Sequence, residues 1–268
     1  MSFLDEVIPE IRRSVEDPGY ASGLPARRAP HPASLHRAIE RARATGALIV
    51  EYKRVSPGQR EPVLPPRTIA EFLEATRPAP VTAYSCLATA PRFQGAPRDV
   101  ADMVRATERP VLFKDIVIDS RQVEAAARSG ASAVLLIARL DRPGRFVEPL
   151  SALAEAAHRA GLEVVLEYHH RSELSRGADV AADVYGVNAR DLDTLRIDRA
   201  TAVETLKEAS DRGLRPLLGL SGVETPADAR RFWDLGADGI LVGTAVARAP
   251  RPAEFLSSLG RDAPGGSE

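Results

Sequence analysis

From residue 47 onward the chain repeats one pattern: a short run of apolar residues, a polar or breaker-rich turn, and a longer stretch with apolar residues at helical spacing. The apolar runs lie at 47–53, 81–85, 111–114, 133–137, 163–167, 184–187, 215–219 and 239–242. Runs apolar on both faces suit strands of a parallel sheet that helices cover. Helices are expected over 68–75, 120–129, 149–160, 200–212 and 226–235, and Gly130, Gly161, Gly213 and Gly236 stand where helices end. The unit recurs every roughly 20 to 35 residues, as βα repeats do. Eight such units in about 220 residues predict a protein of the α/β class, a closed (β/α)8 TIM barrel. A doubly wound open sheet would need fewer strands and a glycine-rich turn after the first, and no G-x-G-x-x-G is present.

Ahead of the repeats, Phe3, Leu4, Val7, Ile8 and Ile11 have helical spacing, and Asp17-Pro18-Gly19 stops the helix. Residues 20–32, rich in proline and glycine, read as an irregular connection; Ser34 then caps a second helix through Ala44, ended by Gly46. The expected organisation is an N-terminal helical extension at 1–46, a catalytic barrel at 47–260 and a flexible tail at 261–268. The two leading helices carry no catalytic pattern and are expected to pack across the bottom or over the rim of the barrel.

Composition narrows the function. The 268 residues carry a formal net charge of −1, which offers no basic field for nucleic acid. The single cysteine, Cys86, excludes an internal disulfide and is expected in the core. No stretch resembles a signal peptide or a membrane span, so the expectation is a soluble cytoplasmic protein with no membrane partner, a monomer or weak homo-oligomer. Of 36 basic residues only Lys53, Lys114 and Lys207 are lysine. Lys207 sits in an ordinary helical surface pattern, whereas Lys53 and Lys114 both end apolar runs. Lysine, unlike arginine, can give up its proton or attack a carbonyl.

In a barrel, chemistry gathers at the carboxyl ends of the strands. Those ends present Glu51 and Lys53, then Lys114 with Asp115, Glu167, Asn188 with Arg190, Ser221-Gly222 and Gly243-Thr244. Glu51 and Lys53 are two apart and therefore share one side of an extended backbone. Ser221-Gly222, followed by the helix start Thr225-Pro226, and Gly243-Thr244 occupy the loops where barrels commonly hold phosphate on backbone N–H groups, and Ser56 can add a hydroxyl. His169 and His170 are adjacent, point opposite ways on an extended segment, and are expected to be solvent-exposed loop residues rather than metal ligands.

Five segments carry a family resemblance: Glu51-Tyr-Lys-Arg-Val-Ser-Pro57, Val111-Leu-Phe-Lys-Asp115, Gly186-Val-Asn-Ala-Arg-Asp-Leu192, Ser221-Gly222 and Gly236-Ala-Asp-Gly-Ile-Leu-Val-Gly243. Together they resemble the indole-3-glycerol phosphate synthase family. The resemblance implies ring closure of 1-(o-carboxyphenylamino)-1-deoxyribulose 5-phosphate, with loss of carbon dioxide and water, in tryptophan biosynthesis. It implies a small phosphorylated substrate, no cofactor and no metal. By position it makes Lys114 the general acid and Glu167 the proton acceptor. Lys53 would hold the substrate's carboxylate or phosphate side and share the acid role, oriented by Glu51; Asn188 would bond sugar-derived hydroxyls; Arg190 would face an anionic group; Phe93 would pack on the anthranilate ring.

The chain departs from the family pattern at three places: Leu220 stands where a glutamate usually precedes Ser-Gly, Ile116 where an aromatic follows Lys-Asp, and Gln59-Arg60 where the first loop has Ser-Lys. Two other readings therefore remain: a Schiff-base lyase or aldolase using Lys114 as nucleophile on a sugar phosphate, and a diverged, non-catalytic binder of a phosphorylated ligand.

Overall fold

The computed structural model describes residues 2–27, 33–55, 67–141 and 148–261. Eight parallel strands, β1 (Ala47–Tyr52), β2 (Ala83–Leu87), β3 (Val111–Lys114), β4 (Ala133–Ile137), β5 (Glu163–Tyr168), β6 (Val184–Asn188), β7 (Leu217–Leu220) and β8 (Gly239–Val242), pair in sequence order, and β8 closes on β1. The fold is a (β/α)8 barrel. Helices α1 (Phe3–Glu16) and α2 (Leu35–Ala42) precede it. The helices between strands are α3 (Ile69–Thr76), α4 (Pro97–Ala106), α5 (Ser120–Ser129), α6 (Leu150–Arg159), α7 (Arg171–Leu174), α8 (Arg199–Asp211) and α9 (Pro226–Asp234); α10 (Thr244–Arg248) and α11 (Pro252–Ser257) follow β8.

Strand alternation divides the core in two. Leu48, Val50, Tyr84, Cys86, Phe113, Val134, Leu136 and Val164 point outward and pack under the helices. Ala47, Ile49, Ala83, Leu112, Ala133, Leu135, Val165, Leu218 and Leu241 point inward and fill the barrel. Burying one such aliphatic side chain stabilises by roughly 1.5–3 kcal/mol. The four glycines expected at helix ends have φ of 82° (Gly130), 75° (Gly161), 74° (Gly213) and 87° (Gly236), the left-handed region that lets a helix stop within one residue.

The two leading helices divide the expected positions between them. In α1, Leu4, Val7, Ile8 and Ile11 join the cluster of Phe93, Ile116, Leu140 and Leu192 at the carboxyl ends of the strands, so this helix roofs one side of the mouth. Three polar contacts and one aromatic contact fasten this end of the chain: the Phe3 N–H donates to the Asp193 carbonyl, Arg92 pairs with Glu10, Tyr20 donates to Asp115, and the Phe3 and Phe93 rings meet edge to face. The second helix lies at the opposite end, where the Glu163 carboxylate at the start of β5 accepts from the Ser34 hydroxyl and the His36 N–H.

Element ends differ from expectation for local reasons. The seventh strand was expected from residue 215 but pairs from Leu217, because Pro216 has no N–H to donate and Arg215 is turned aside to Asp238. The second strand starts two residues late, since the Thr82 hydroxyl rather than a backbone carbonyl accepts from Leu48 N–H. Helix α4 follows a segment with no side-chain cap; Pro97 in its first turn is the sequence sign of its start.

Gly95 fixes the loop that carries Phe93. A Cβ there would run into the Leu87 carbonyl, whose carbon is 2.8 Å away, while the Gly95 N–H donates to Thr89 O. Gly95→Ala is expected to destabilise the fold by about 2 kcal/mol, in line with overpacking at a rigid contact, measured as a lower urea midpoint with unchanged slope.

Candidate active site

The inward parity of the strands gathers charge at the carboxyl mouth. From β1, the Lys53 Nζ donates to Glu51 Oε1 at 2.7 Å, and both side chains are largely buried. From β3, Lys114 Nζ stands 3.7 Å from Glu167 Oε2 of β5. From β6, Asn188 Nδ2 donates to the other Glu167 oxygen at 3.1 Å. These side chains wall a cavity of about 270 Å³ together with Arg190, Ser221, Gly222, Gly243 and Thr244. Phe93, buried against Phe3, lines it as well. Ser56, Gln59 and Arg60 lie outside the described residues.

Apolar residues line the cavity between these polar ones: Leu87 beside Lys114, Ile137 beside Glu167 and Leu220 beside Asn188 in the strand register, with Ile116, Leu192 and Leu241. Leu220 takes its place because Gly186 has no side chain; a Cβ on Gly186 would come within 2.5 Å of Leu220 Cδ1. Gly243 is similarly required. A Cβ there would lie 2.8 Å from Glu51 Oε1 and 3.0 Å from Lys53 Nζ, so only glycine leaves the ion pair in place.

Burial and partners set the ionisation. Burial by itself would raise the Glu167 carboxyl, but Lys114, His169 and Asn188 outweigh it and hold the group at about 2. Burial also works against the Lys114 ammonium, yet Glu167 and Glu51 raise it above the ordinary lysine value, so it is protonated at neutral pH. Glu51 is likewise held low by Lys53 and Lys114 against the effect of burial. Glu51 Oε2 and Glu167 Oε2 are buried with no hydrogen-bond partner among the described residues. Unsatisfied buried carboxylate oxygens at a cavity mark places where a ligand atom can bond.

Several expectations are corrected here. His169 is buried, not exposed: its ring stands 3.2 Å from Glu167 and 3.8 Å from Glu173, whereas His170 is in solvent. Asp115 borders the cavity, but its carboxylate is bonded to Thr89, Gln122, Tyr20 and the Ile116 N–H and so braces the loop after β3. At the start of α9 the N–H groups of Glu224, Thr225 and Asp228 are already taken, because the Thr225 hydroxyl accepts from Asp228 N–H and the Asp228 carboxylate accepts from the N–H groups of Glu224 and Thr225. What turns toward the cavity is the loop before it, where Ser221 and Gly222 both have positive φ, 63° and 76°. Ser221, not a glycine, holds this left-handed conformation beside the cavity at some cost in strain.

Sequence reading missed Arg248 and Glu224, which also border the cavity. Arg248 lies one helical turn beyond Thr244, a spacing that was available in the sequence. Glu224 sits in the loop after Ser221-Gly222 and had no such signal. Among the described residues, no group of three or more His, Cys, Asp or Glu side chains is arranged to hold a metal ion, and no helix is long and apolar enough to cross a membrane.

Comparison with known proteins agrees with this architecture. The family model described as indole-3-glycerol phosphate synthase matches residues 4–259. The indole-3-glycerol phosphate synthase of Methanopyrus kandleri is 34% identical over 96% of this chain and 97% of its own. That of Exiguobacterium sibiricum is 36% identical over 80% of each chain, and that of Aeropyrum pernix 37% identical over 80% of each. Among solved structures, thiamine phosphate pyrophosphorylase from Pyrococcus furiosus superposes with a TM-score of 0.57 at 17% identity, covering 84% of this chain and 96% of its own, a likeness of fold.

The depressed carboxyls give a pH dependence. Glu167 and Glu173 fall from 4.5 to about 2 on folding, and Asp191 from 3.8 to about 2. A lowered folded value contributes stability that is complete above the unfolded value and is lost as pH falls toward the folded one. Unfolding free energy should therefore drop most steeply between about pH 4.5 and 2. Glu173→Gln is expected to lose on the order of 3 kcal/mol at pH 7 and to show a shallower fall below about pH 4.5, read from urea melts across pH.

Proposed function

The chain belongs to the indole-3-glycerol phosphate synthase family, and on that premise we propose that it closes the ring of 1-(o-carboxyphenylamino)-1-deoxyribulose 5-phosphate, releasing carbon dioxide and water, with Lys114 as acid and Glu167 as proton acceptor. The reading makes it a carboxy-lyase of tryptophan biosynthesis acting in the cytoplasm. Residues 47–260 are the catalytic barrel and 1–46 its helical extension; of the tail expected at 261–268, residues 262–268 lie outside the described residues.

One observation carries the reading: an ammonium and an anionic carboxylate, 3.7 Å apart, face one cavity, and the carboxylate oxygen nearest the ammonium is unbonded among the described residues. Ring closure places negative charge on the substrate's ketone oxygen. Lys114, protonated, stabilises that charge and supplies the proton. After carbon dioxide leaves, the hydroxyl departs as water with a proton from the Lys53 ammonium, which lines the same cavity, and Glu167 accepts the proton released as the indole becomes aromatic. The two groups help each other in turn. While charged, Lys114 keeps Glu167 a weak base; once it has donated its proton, that effect vanishes and Glu167 becomes a stronger acceptor.

The rest of the cavity fits the substrate's other parts. The apolar lining residues with Phe93 accept the aromatic ring and keep water from it. Ser221-Gly222 and Gly243-Thr244, joined by Ser56, hold the phosphate. Lys53, oriented by Glu51, faces the substrate's anionic side; Arg190, whose guanidinium is steadied on the Leu195 carbonyl, meets a second anionic group; Asn188 bonds a hydroxyl. Use of Lys114 as a Schiff-base nucleophile is disfavoured, because its raised value leaves it with no lone pair to attack a carbonyl. Leu220 adds apolar surface where a carboxylate would repel an anionic substrate.

Lys114→Ala is expected to cost about a thousandfold in kcat and Glu167→Gln about a hundredfold or more, both with native circular dichroism. Turnover like that of the wild type in either variant would remove that residue from the mechanism. Indoleglycerol phosphate formation, followed by fluorescence in wild type and Leu220→Glu side by side, tests the reaction itself. Product from wild type establishes it, and we expect Leu220→Glu to raise KM. A silent wild type beside an active Leu220→Glu would instead mean a chain that has drifted from a working enzyme.

A further inference from the structure

His169 takes no part in the chemistry above and lies behind Glu167 rather than in the cavity wall, yet its side chain is only about 1% exposed. It shares the inward parity of β5 with Glu167, two residues before it. Its Nε2 is 3.2 Å from Glu167 Oε1 and its Nδ1 is 3.8 Å from Glu173 Oε2, in neither case along a linear hydrogen bond. Glu173 is itself immobilised: one oxygen accepts from the His169 backbone N–H at 2.6 Å, the other from Arg139 Nε at 2.8 Å. Arg139, buried in the turn after β4, is tied in turn to Asp191 and Asp193.

The groups facing His169 are therefore two carboxylates, Glu167 and Glu173, with Lys114 and Asn188 reaching it through Glu167 and Arg139 through Glu173. A neutral ring here would leave two buried anions adjacent with no charge between them, whereas a protonated ring completes the alternation Lys114, Glu167, His169, Glu173, Arg139. Glu167 and Glu173 accordingly raise the imidazole above its ordinary value, against the effect of burial.

We propose that His169 is a positioning residue whose imidazolium, wedged between Glu167 and Glu173, keeps the Glu167 carboxylate ionised and turned toward the substrate throughout the catalytic cycle. The inference rests on Glu167 being the proton acceptor. Its force lies in the second half of the reaction. After Lys114 has given up its proton, His169 is the cation that remains beside Glu167 among the described residues, so the carboxylate stays free to accept until water has left.

Two measurements test this. In the unliganded protein, 15N NMR of the histidine rings, assigned with a His169→Gln sample, should show His169 protonated on both nitrogens from about pH 6 to 8. A His169 ring that loses its proton within that range overturns the proposal. In His169→Gln the acid limb of the kcat profile should move up by about one pH unit or more, a loss of about tenfold at the acid end that shrinks toward alkaline pH, with KM within about twofold of wild type. An unmoved acid limb, or a loss equal at every pH, would mean that the residue only fills space. Survival of turnover in Glu167→Gln overturns both the acceptor role and this proposal; an unmoved limb with Glu167→Gln inactive overturns the His169 assignment alone.

Discussion

Charge inside a closed barrel has nowhere to be hydrated, so every ion placed on an inward position must be answered by another. The mouth of this barrel meets that demand with a line of alternating sign: Lys53, Glu51, Lys114, Glu167, His169, Glu173, Arg139 and Asp191. Each member faces a group of opposite sign. Taking an ion pair out of water costs several kcal/mol per ion unless the geometry is good, and removing one partner leaves the other uncompensated. The line is thus a source of strain that the apolar packing of the barrel offsets, and it keeps an ammonium and a carboxylate ionised in the same small space.

The apolar lining of the mouth follows from the same closure. Strands of a barrel carry their inward residues to a common level, and the size of one limits its neighbours. Gly186 gives Leu220 its room, and Gly243 gives the Glu51–Lys53 pair its room. A glycine inside β6 and another just after β8 therefore set which side chains can reach the cavity.

The barrel was legible because its signal is local and repeated: apolar runs, helices that stop at glycine, and even spacing. The strand-end charges were legible for the same reason, since Glu51 and Lys53 differ by two residues and must share a side. The identical parity joins Glu167 to His169, and it was not followed through; contrasting His169 with His170 hid the fact that one of the two had to face inward. Other features depend on partners distant in sequence. Nothing near Arg139 announces that Glu173 and Asp191 will surround it, and nothing near Thr225 says that Asp228 will occupy the N–H groups at the start of α9. Pairing of this kind is settled by the closed barrel, not by the segment itself.

Helix α1 leaves the ribosome before any strand, but what fastens it comes later. Its aromatic partner is Phe93, its ion-pair partner Arg92, and its first N–H donates to the carbonyl of Asp193, beyond the sixth strand. Closing so long a stretch of chain costs entropy that only the finished contacts offset. A helix made before every strand of the barrel is thus among the last pieces fixed, and the wall of the mouth that Phe93 and Leu192 form with it is completed only when six of the eight strands exist. Chains cut short of β6 would carry most of the catalytic side chains and still have no roofed site.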